Sequence, residues 1–275
     1  MKPARFDYQR VETLAEAHDA LAAHGEDARI IAGGQTLLPM LSMRLARPKL
    51  LIDIMHLPEL KKIGTDRKSI RIGAGVRQAE LLAWPDLAQR QPLLAAALPW
   101  VGHAQTRSRG TICGSVAHAD PSAEIPLVML VLGGSIELSS RHKRRSVPAA
   151  EFFTGMMSTT RAPDEMIEAV SLPAARAGSG TAFQEFGRRH GDFAIVACAA
   201  LVSRDSISLA VGGVADRPER RDFPLLEGSA LDDALDAFAW QLDAREDLHA
   251  TAPYRRELVR RMGRATIEEA RRCFV

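Results

Sequence analysis

Two short stretches of this chain carry residue types suited to holding a phosphate. The first is Ala32-Gly33-Gly34-Gln35-Thr36, entered from the β-branched pair Ile30-Ile31 and left through Leu37. Backbone N–H groups at a glycine turn that opens a helix attract negative charge, because the donors are unpaired and the helix dipole adds to them. Gly33 and Gly34 permit close approach and positive φ, while Gln35 and Thr36 add side-chain donors. A plain helix-entry turn would leave the same trace in the sequence. The second stretch, Arg109 to Asp120, again combines small residues and hydroxyls with the start of a helix. Two such loops can embrace one dinucleotide.

Other chemistries lack their residues. Gly73-Ala74-Gly75 is followed by Val76-Arg77-Gln78, so the third glycine of the Rossmann fingerprint is missing, and no Walker A lysine pattern exists. H-E-x-x-H, G-x-S-x-G and carboxylate-rich metal motifs are absent as well. His103 and His118 flank the second loop, where they could bond a ligand or serve only the loop itself. Asp120 reads as a helix cap and Glu124 as a first-turn carboxylate favoured by the dipole. Cys113, beside a glycine, is either a thiol of lowered pKa or a small packing residue.

The elements that must position these loops follow from spacing. A strand over Phe6 to Val11 leads to a helix over Leu14 to Ala23, capped by Thr13, ended by Gly25, with Leu14, Ala17, His18 and Leu21 on one face. Arg29 to Ile31 reads as a strand, and Leu37 to Leu45 as a helix with Thr36 as its cap. Lys49 to Ile54 and Ser69 to Gly73 read as strands, and Gln78 to Leu98 as two helical pieces broken near Pro85 or Pro92. Asp120-Pro121 signals a helix through Ile125 to Leu132. Beyond the small-residue linker Ala174 to Gly180, three β-like runs (Thr181 to Arg188, Phe193 to Val202, Ile207 to Val214) precede helices near Ala230 to Leu242 and Tyr254 to Cys273. Strands followed by helices predict an α+β domain with a three-stranded sheet. The expected division is 1–175, itself in two parts near 1–60 and 61–175, followed by 176–275.

Composition excludes several classes. The chain has 275 residues, with 36 basic against 34 acidic residues and a 46% hydrophobic fraction, which describes an ordinary globular protein. Basic clusters at 141–145 and 255–264 lack interleaved aromatics, so nucleic-acid binding is not expected. Three separated cysteines signal no disulfide framework, zinc site or iron–sulfur cluster, and the reducing cytoplasm is the expected compartment. Neither a secretory signal nor a membrane span is expected.

Taken together, Ala32 to Pro39 and Thr111 to Glu124 resemble the paired FAD motifs of the medium subunit of the xanthine dehydrogenase and carbon monoxide dehydrogenase family. The resemblance continues through Phe183-Gln184-Glu185-Phe186, Arg188 to Ala194 and the Tyr254-Arg255-Arg256 helix, so it spans essentially the whole chain. It implies an α+β fold with a two-part FAD-binding domain of the PCMH type. It also implies a heterotrimeric molybdenum hydroxylase, in which a large subunit holds molybdenum–pterin and a small one two [2Fe–2S] clusters. This oxidoreductase subunit would pass electrons from those clusters through non-covalent FAD to an external acceptor. A stand-alone FAD-dependent oxidase or reductase of the same fold is the alternative, and a non-catalytic dinucleotide binder a second one.

Carried over by motif, Ile31 and Ala32 to Leu37 would hold pyrophosphate and ribityl or ribose groups. Gly110, Thr111, Gly114 and Ser115 would close the other side, with Ala117, His118, Asp120 and Glu124 near the ribityl chain and flavin. Val101, Gly102 and Thr106 lie just upstream. Phe193 occupies a position where relatives often have a flavin-adjacent Tyr; a core aromatic at a strand start is its other reading. No residue is assigned as catalytic and none as a metal ligand. The second motif departs from its family pattern at Cys113, in place of glycine, and at Ser115, in place of asparagine.

Overall fold

A computed structural model describes residues 2–274. Its first part is a small three-stranded parallel sheet, ordered β1 (Asp7–Arg10), β3 (Leu50–Asp53), β2 (Ala28–Ile31), with the helices α1 (Leu14–His24) and α2 (Leu37–Ser42) between strands. The continuous run Leu50-Leu51-Ile52 is buried, as a central parallel strand requires. Thr13 caps α1 by accepting from the Glu16 amide, and Gly25 ends it, as expected. The helix after the first glycine loop stops at Ser42 rather than Leu45, and Thr36 makes no capping hydrogen bond.

The second part is a five-stranded antiparallel sheet of order β4-β5-β10-β6-β7: β4 (Ile63–Thr65), β5 (Ser69–Gly73), β6 (Ser135–Ser139), β7 (Arg144–Pro148) and β10 (Met166–Pro173). A two-stranded ribbon, β8 (Phe153–Gly155) with β9 (Ser158–Thr159), lies beside it, behind the short helix α9 (Ala149–Phe152). Strands β6, β7 and β10 were not legible in the sequence. Prolines 85 and 92 both interrupt the Ala/Leu-rich stretch, giving three short helices instead of two: α3 (Gln78–Leu82), α4 (Leu87–Arg90) and α5 (Pro92–Ala97). Helices α6 (Ala104–Arg109), α7 (Ile112–His118) and α8 (Glu124–Leu132) follow. Every residue from Glu124 to Val131 is buried. A helix apolar all round belongs inside, and α8 lies between the second part and the C-terminal sheet.

That C-terminal sheet has four antiparallel strands, not three, in sequential order: β11 (Ser179–Phe186), β12 (Val196–Ser203), β13 (Ser206–Gly212) and β14 (Glu219–Pro224). The charged run Glu219-Arg220-Arg221-Asp222 concealed the edge strand, where charge blunts open pairing. Helices α10 (Gly228–Gln241) and α11 (Ala252–Arg272) pack on one face of this sheet, while Phe183, Ala197, Ala199 and Ala210 on the other join the core of the first two parts. Arg255, 1% exposed, donates from α11 to the carbonyls of Ile195 and Gly213 and to Asp247. It thereby ties down the segment that follows Phe193. Among the described residues no helix is long and apolar enough to cross a membrane.

Candidate functional site

One cavity of about 840 Å³ opens where the first part, the second part and the 191–193 loop meet. This is within the size range of cofactor pockets. All nineteen residues singled out in the sequence, from Ile31 to Phe193, contribute to its wall.

The first loop brings backbone donors. The amides of Gly33, Gly34, Gln35, Thr36 and Leu37 have no acceptor among the described residues, while Gly34 and Thr36 carbonyls accept from Leu38 and Met40. Five consecutive unpaired amides on a cavity wall form a concave, positively polarised cradle for an anion. Two glycines make the cradle for different reasons. Gly34 sits at φ +69°, the left-handed region, and so turns the chain. Gly33 has ordinary φ, but a Cβ there would lie 2.2 Å from the Arg109 carbonyl oxygen and 2.7 Å from the Gly110 Cα. Its bareness lets the first loop seat directly on the second.

The second loop is built differently. Thr111 caps α7, accepting from the Gly114 amide through its hydroxyl at 3.0 Å and from the Ser115 amide through its carbonyl at 3.2 Å. Those donors are consumed internally, so this loop presents side chains instead. Cys113 sits within α7 at no positive φ, so glycine's freedom is not needed there. Its thiol is buried against the Ile72 carbonyl, and burial pushes its pKa up to about 12. The reading of Cys113 as a small packing residue holds; an activated thiol does not.

After α7, Ala119 takes the left-handed conformation, φ 53°, and redirects the chain. Asp120 is not the helix cap: its carboxylate accepts from the Ser122 amide in a local turn, and α8 begins four residues later, at Glu124. Pro121 sets that turn instead of a helix start. His118 Nε2 lies 3.8 Å from Asp120 Oδ2; burial depresses the imidazole pKa and Asp120 opposes the shift. Glu124 is 7% exposed, faces the cavity, and receives no hydrogen bond from another residue among those described. Burial raises its pKa to about 7, with Asp120 adding to the shift, its own amide and Arg107 opposing it. Phe193 is 70% exposed on the rim, and its strand starts only at Val196, so it is not a core aromatic.

Several wall residues were not foreseen. Gln78 lies under Gly110 with a buried, unpaired Oε1; Arg161 donates to the Ala162 and Glu165 carbonyls; Gly191 and Asp192 precede Phe193. Gly191 and Asp192 stood in the quoted motif and could have been carried over with Phe193. Gln78 and Arg161 reach the cavity through tertiary folding alone, and no local pattern marks them.

A family model described as "FAD binding domain in molybdopterin dehydrogenase" matches residues 4–175, and another, "CO dehydrogenase flavoprotein C-terminal domain", matches 181–270. The chain belongs to this flavoprotein family. It is an FAD-binding oxidoreductase subunit of the molybdenum hydroxylases, whose molybdenum and iron–sulfur groups reside on partner subunits. Among relatives, it is 38% identical to the 6-hydroxypseudooxynicotine dehydrogenase complex subunit alpha of Paenarthrobacter nicotinovorans, covering 98% of this chain and 96% of the relative. It is 32% identical to the carbon monoxide dehydrogenase medium chain of Hydrogenophaga pseudoflava, covering 98% of each. The structure of carbon monoxide dehydrogenase from that organism superposes with a TM-score of 0.94 over 100% of both chains, at 32% identity. Quinoline 2-oxidoreductase from Pseudomonas putida 86 gives 0.92 over 98% of each, also at 32% identity.

The wall fits FAD on its own chemistry. A dinucleotide needs an anion cradle, polar groups for its sugars and an open end where a ring can exchange electrons. The free amides of 33–37, the Ser115–Asp120 side chains and the exposed rim at Phe193 supply these in turn.

Proposed function

We propose that this chain holds FAD non-covalently in the 840 Å³ cavity and relays electrons from [2Fe–2S] clusters of a small partner subunit to an external acceptor, while a large molybdenum subunit oxidises the substrate. The observation that carries this reading is the row of five amides at Gly33 to Leu37 without an acceptor among the described residues, which one anionic ligand can satisfy together. When bound, FAD supplies the ability to take electrons singly and release them in pairs. The chain's residues bind and orient. The first loop would hold the pyrophosphate; Ser115, His118 and Asp120 would bond the sugar and ribityl hydroxyls; Glu124 would stand at the flavin side. Phe193 would border the ring at the cavity mouth, and its lack of a phenol leaves contact there to an apolar face.

The division of the chain into 1–175 and 176–275 belongs to the same reading, with the C-terminal part acting as the support that sets Phe193 at the rim. Its buried Arg255, bonded to the Ile195 carbonyl, is the visible link. The test is direct. The purified chain, supplied with FAD, should display protein-bound flavin bands and should co-purify with a small iron–sulfur and a large molybdenum subunit when expressed with its neighbours. A lone chain that turns over an organic substrate would favour the stand-alone oxidase or reductase, and a chain that never retains flavin would end the proposal.

A further inference from the structure

A second buried carboxylate stands behind Glu124. Along β11, side chains alternate between the two faces of the sheet. Gln184 points toward α11, where it donates to Glu269, whereas Phe183 points the other way and meets the Trp100 ring at 6.5 Å. Glu185, two residues from Phe183, shares that inward face and stands in register with Ala197 and, beyond it, Gly212, where an added Cβ would meet the Pro121 carbonyl oxygen at 3.2 Å and Leu127 at 3.6 Å, at the entry and first turns of α8. Its Oε2 is fully buried with no hydrogen-bond partner among the described residues. Burial pushes its pKa up, and the Glu124 carboxylate pushes it further in the same direction. Glu124 in turn feels Asp120 from the preceding loop and Arg107 from α6. Arg107 is already engaged with the carbonyls of Pro99, Val101 and Gly102, and His118 turns to Asp120, so among the described residues no cation is committed to either glutamate. Two neighbouring buried carboxylates without a committed counter-ion cannot both ionise cheaply.

We propose that Glu124 and Glu185 form one proton-sharing pair that serves as the proton store of the cofactor cavity, taking up a proton as electrons enter. This rests on the cavity being the FAD site. Each electron delivered, by a reduced iron–sulfur partner in the complex or by dithionite in vitro, adds one negative charge to the cavity. The pair answers by forming one O–H bond at Glu124 with a proton from water, which removes the carboxylate charge next to the cofactor; the hydroxide left behind is taken by the buffer. Burial holds Glu185 protonated to about 9 and Glu124 to about 7, so in between the pair carries one proton and has room for a second.

The test uses infrared spectroscopy of the full-length chain, titrated without FAD and then with it. Two protonated-carboxyl bands should disappear in separate steps as pH rises. Glu124→Gln should remove the first step and shift the Glu185 step downward, because its charged neighbour is gone; Glu185→Gln should remove the second. With FAD bound, dithionite reduction between pH 7 and 9 should draw more protons into the wild type than into Glu124→Gln. Should Glu124→Gln fail to fold or to retain FAD, the Glu185→Gln titration still decides whether the second step exists. Both carboxyls already ionised at pH 6, or a Glu185 step indifferent to Glu124→Gln, would overturn the pair. Absence of flavin bands would instead overturn the cofactor reading, leaving the carboxyl bands to speak for the pair alone.

Discussion

The two glycine loops resemble one another in sequence and differ in what they offer. At Gly33 to Leu37 five amides have no acceptor among the described residues, and what the loop offers the cavity is its backbone. At Thr111 to Ser115 the amides of Gly114 and Ser115 are taken by Thr111, and the loop acts through side chains carried on α7 and the turn after it. A glycine-rich stretch is therefore an anion site only where its N–H groups have no internal partner. The difference also explains why the second loop tolerates Cys113 and Ser115: a helical position asks for no glycine backbone, and a side-chain wall can vary.

The comparison can be broken most forcefully at the seam between the loops. Gly33→Val would drive a branched side chain into the Arg109 carbonyl, 2.2 Å from an added Cβ. A loss of FAD affinity of about 1,000-fold, with about 3 kcal/mol or more of stability, is expected from forced repacking of backbone against backbone. Fluorescence titration and thermal unfolding measure both, and unchanged affinity in a folded variant contradicts the seam.

Next comes pH, which should touch the second loop and leave the first indifferent. Glu124 has a folded pKa near 7 against an ordinary value of 4.5, so the native chain binds more protons than the unfolded one between them. Its contribution to stability is thus greatest below 4.5 and is lost as pH rises through 7, a swing of roughly 3 kcal/mol. Denaturant unfolding across that window should show a slope in the wild type and a shallower one in Glu124→Gln, where Glu185 alone still contributes; equal slopes in both proteins rule the assignment out.

Gly34→Ala tests the first loop's turn. An alanine at φ +69° costs about 1–2 kcal/mol and tilts the amides, so FAD affinity should fall roughly tenfold. Thr111→Val removes the cap of α7 and should cost about 1 kcal/mol of stability with a smaller effect on FAD. If Thr111→Val weakened FAD more than Gly34→Ala, the division of labour between the loops would be reversed.

Much of this was readable from the chain, and unevenly so. The first loop, the Thr13 cap and the last two helices announced themselves because local residues decide them: a glycine pair, a hydroxyl three residues before an acid, a regular apolar stripe. The hairpin β6–β7 and strand β10 did not, since their arginines and glutamates pair across the sheet, as Arg71 does with Glu137 and Arg145 with Glu165, and so obscure the apolar alternation. Asp120 looked like a cap because Asp-Pro is also a turn signal, and the turn won. Gln78 and Arg161 reach the cavity from segments distant in sequence, through contacts that no local pattern encodes.

The division between the loops is most directly tested by amide hydrogen exchange, resolved to individual residues, before and after FAD is added. In the free chain the amides of Gly33 to Leu37 should exchange fast and those of Gly114 and Ser115 slowly; with FAD, the first set should become protected and the second change little. Protection that appears at Gly114 and Ser115 while Gly33 to Leu37 stay open would contradict the account.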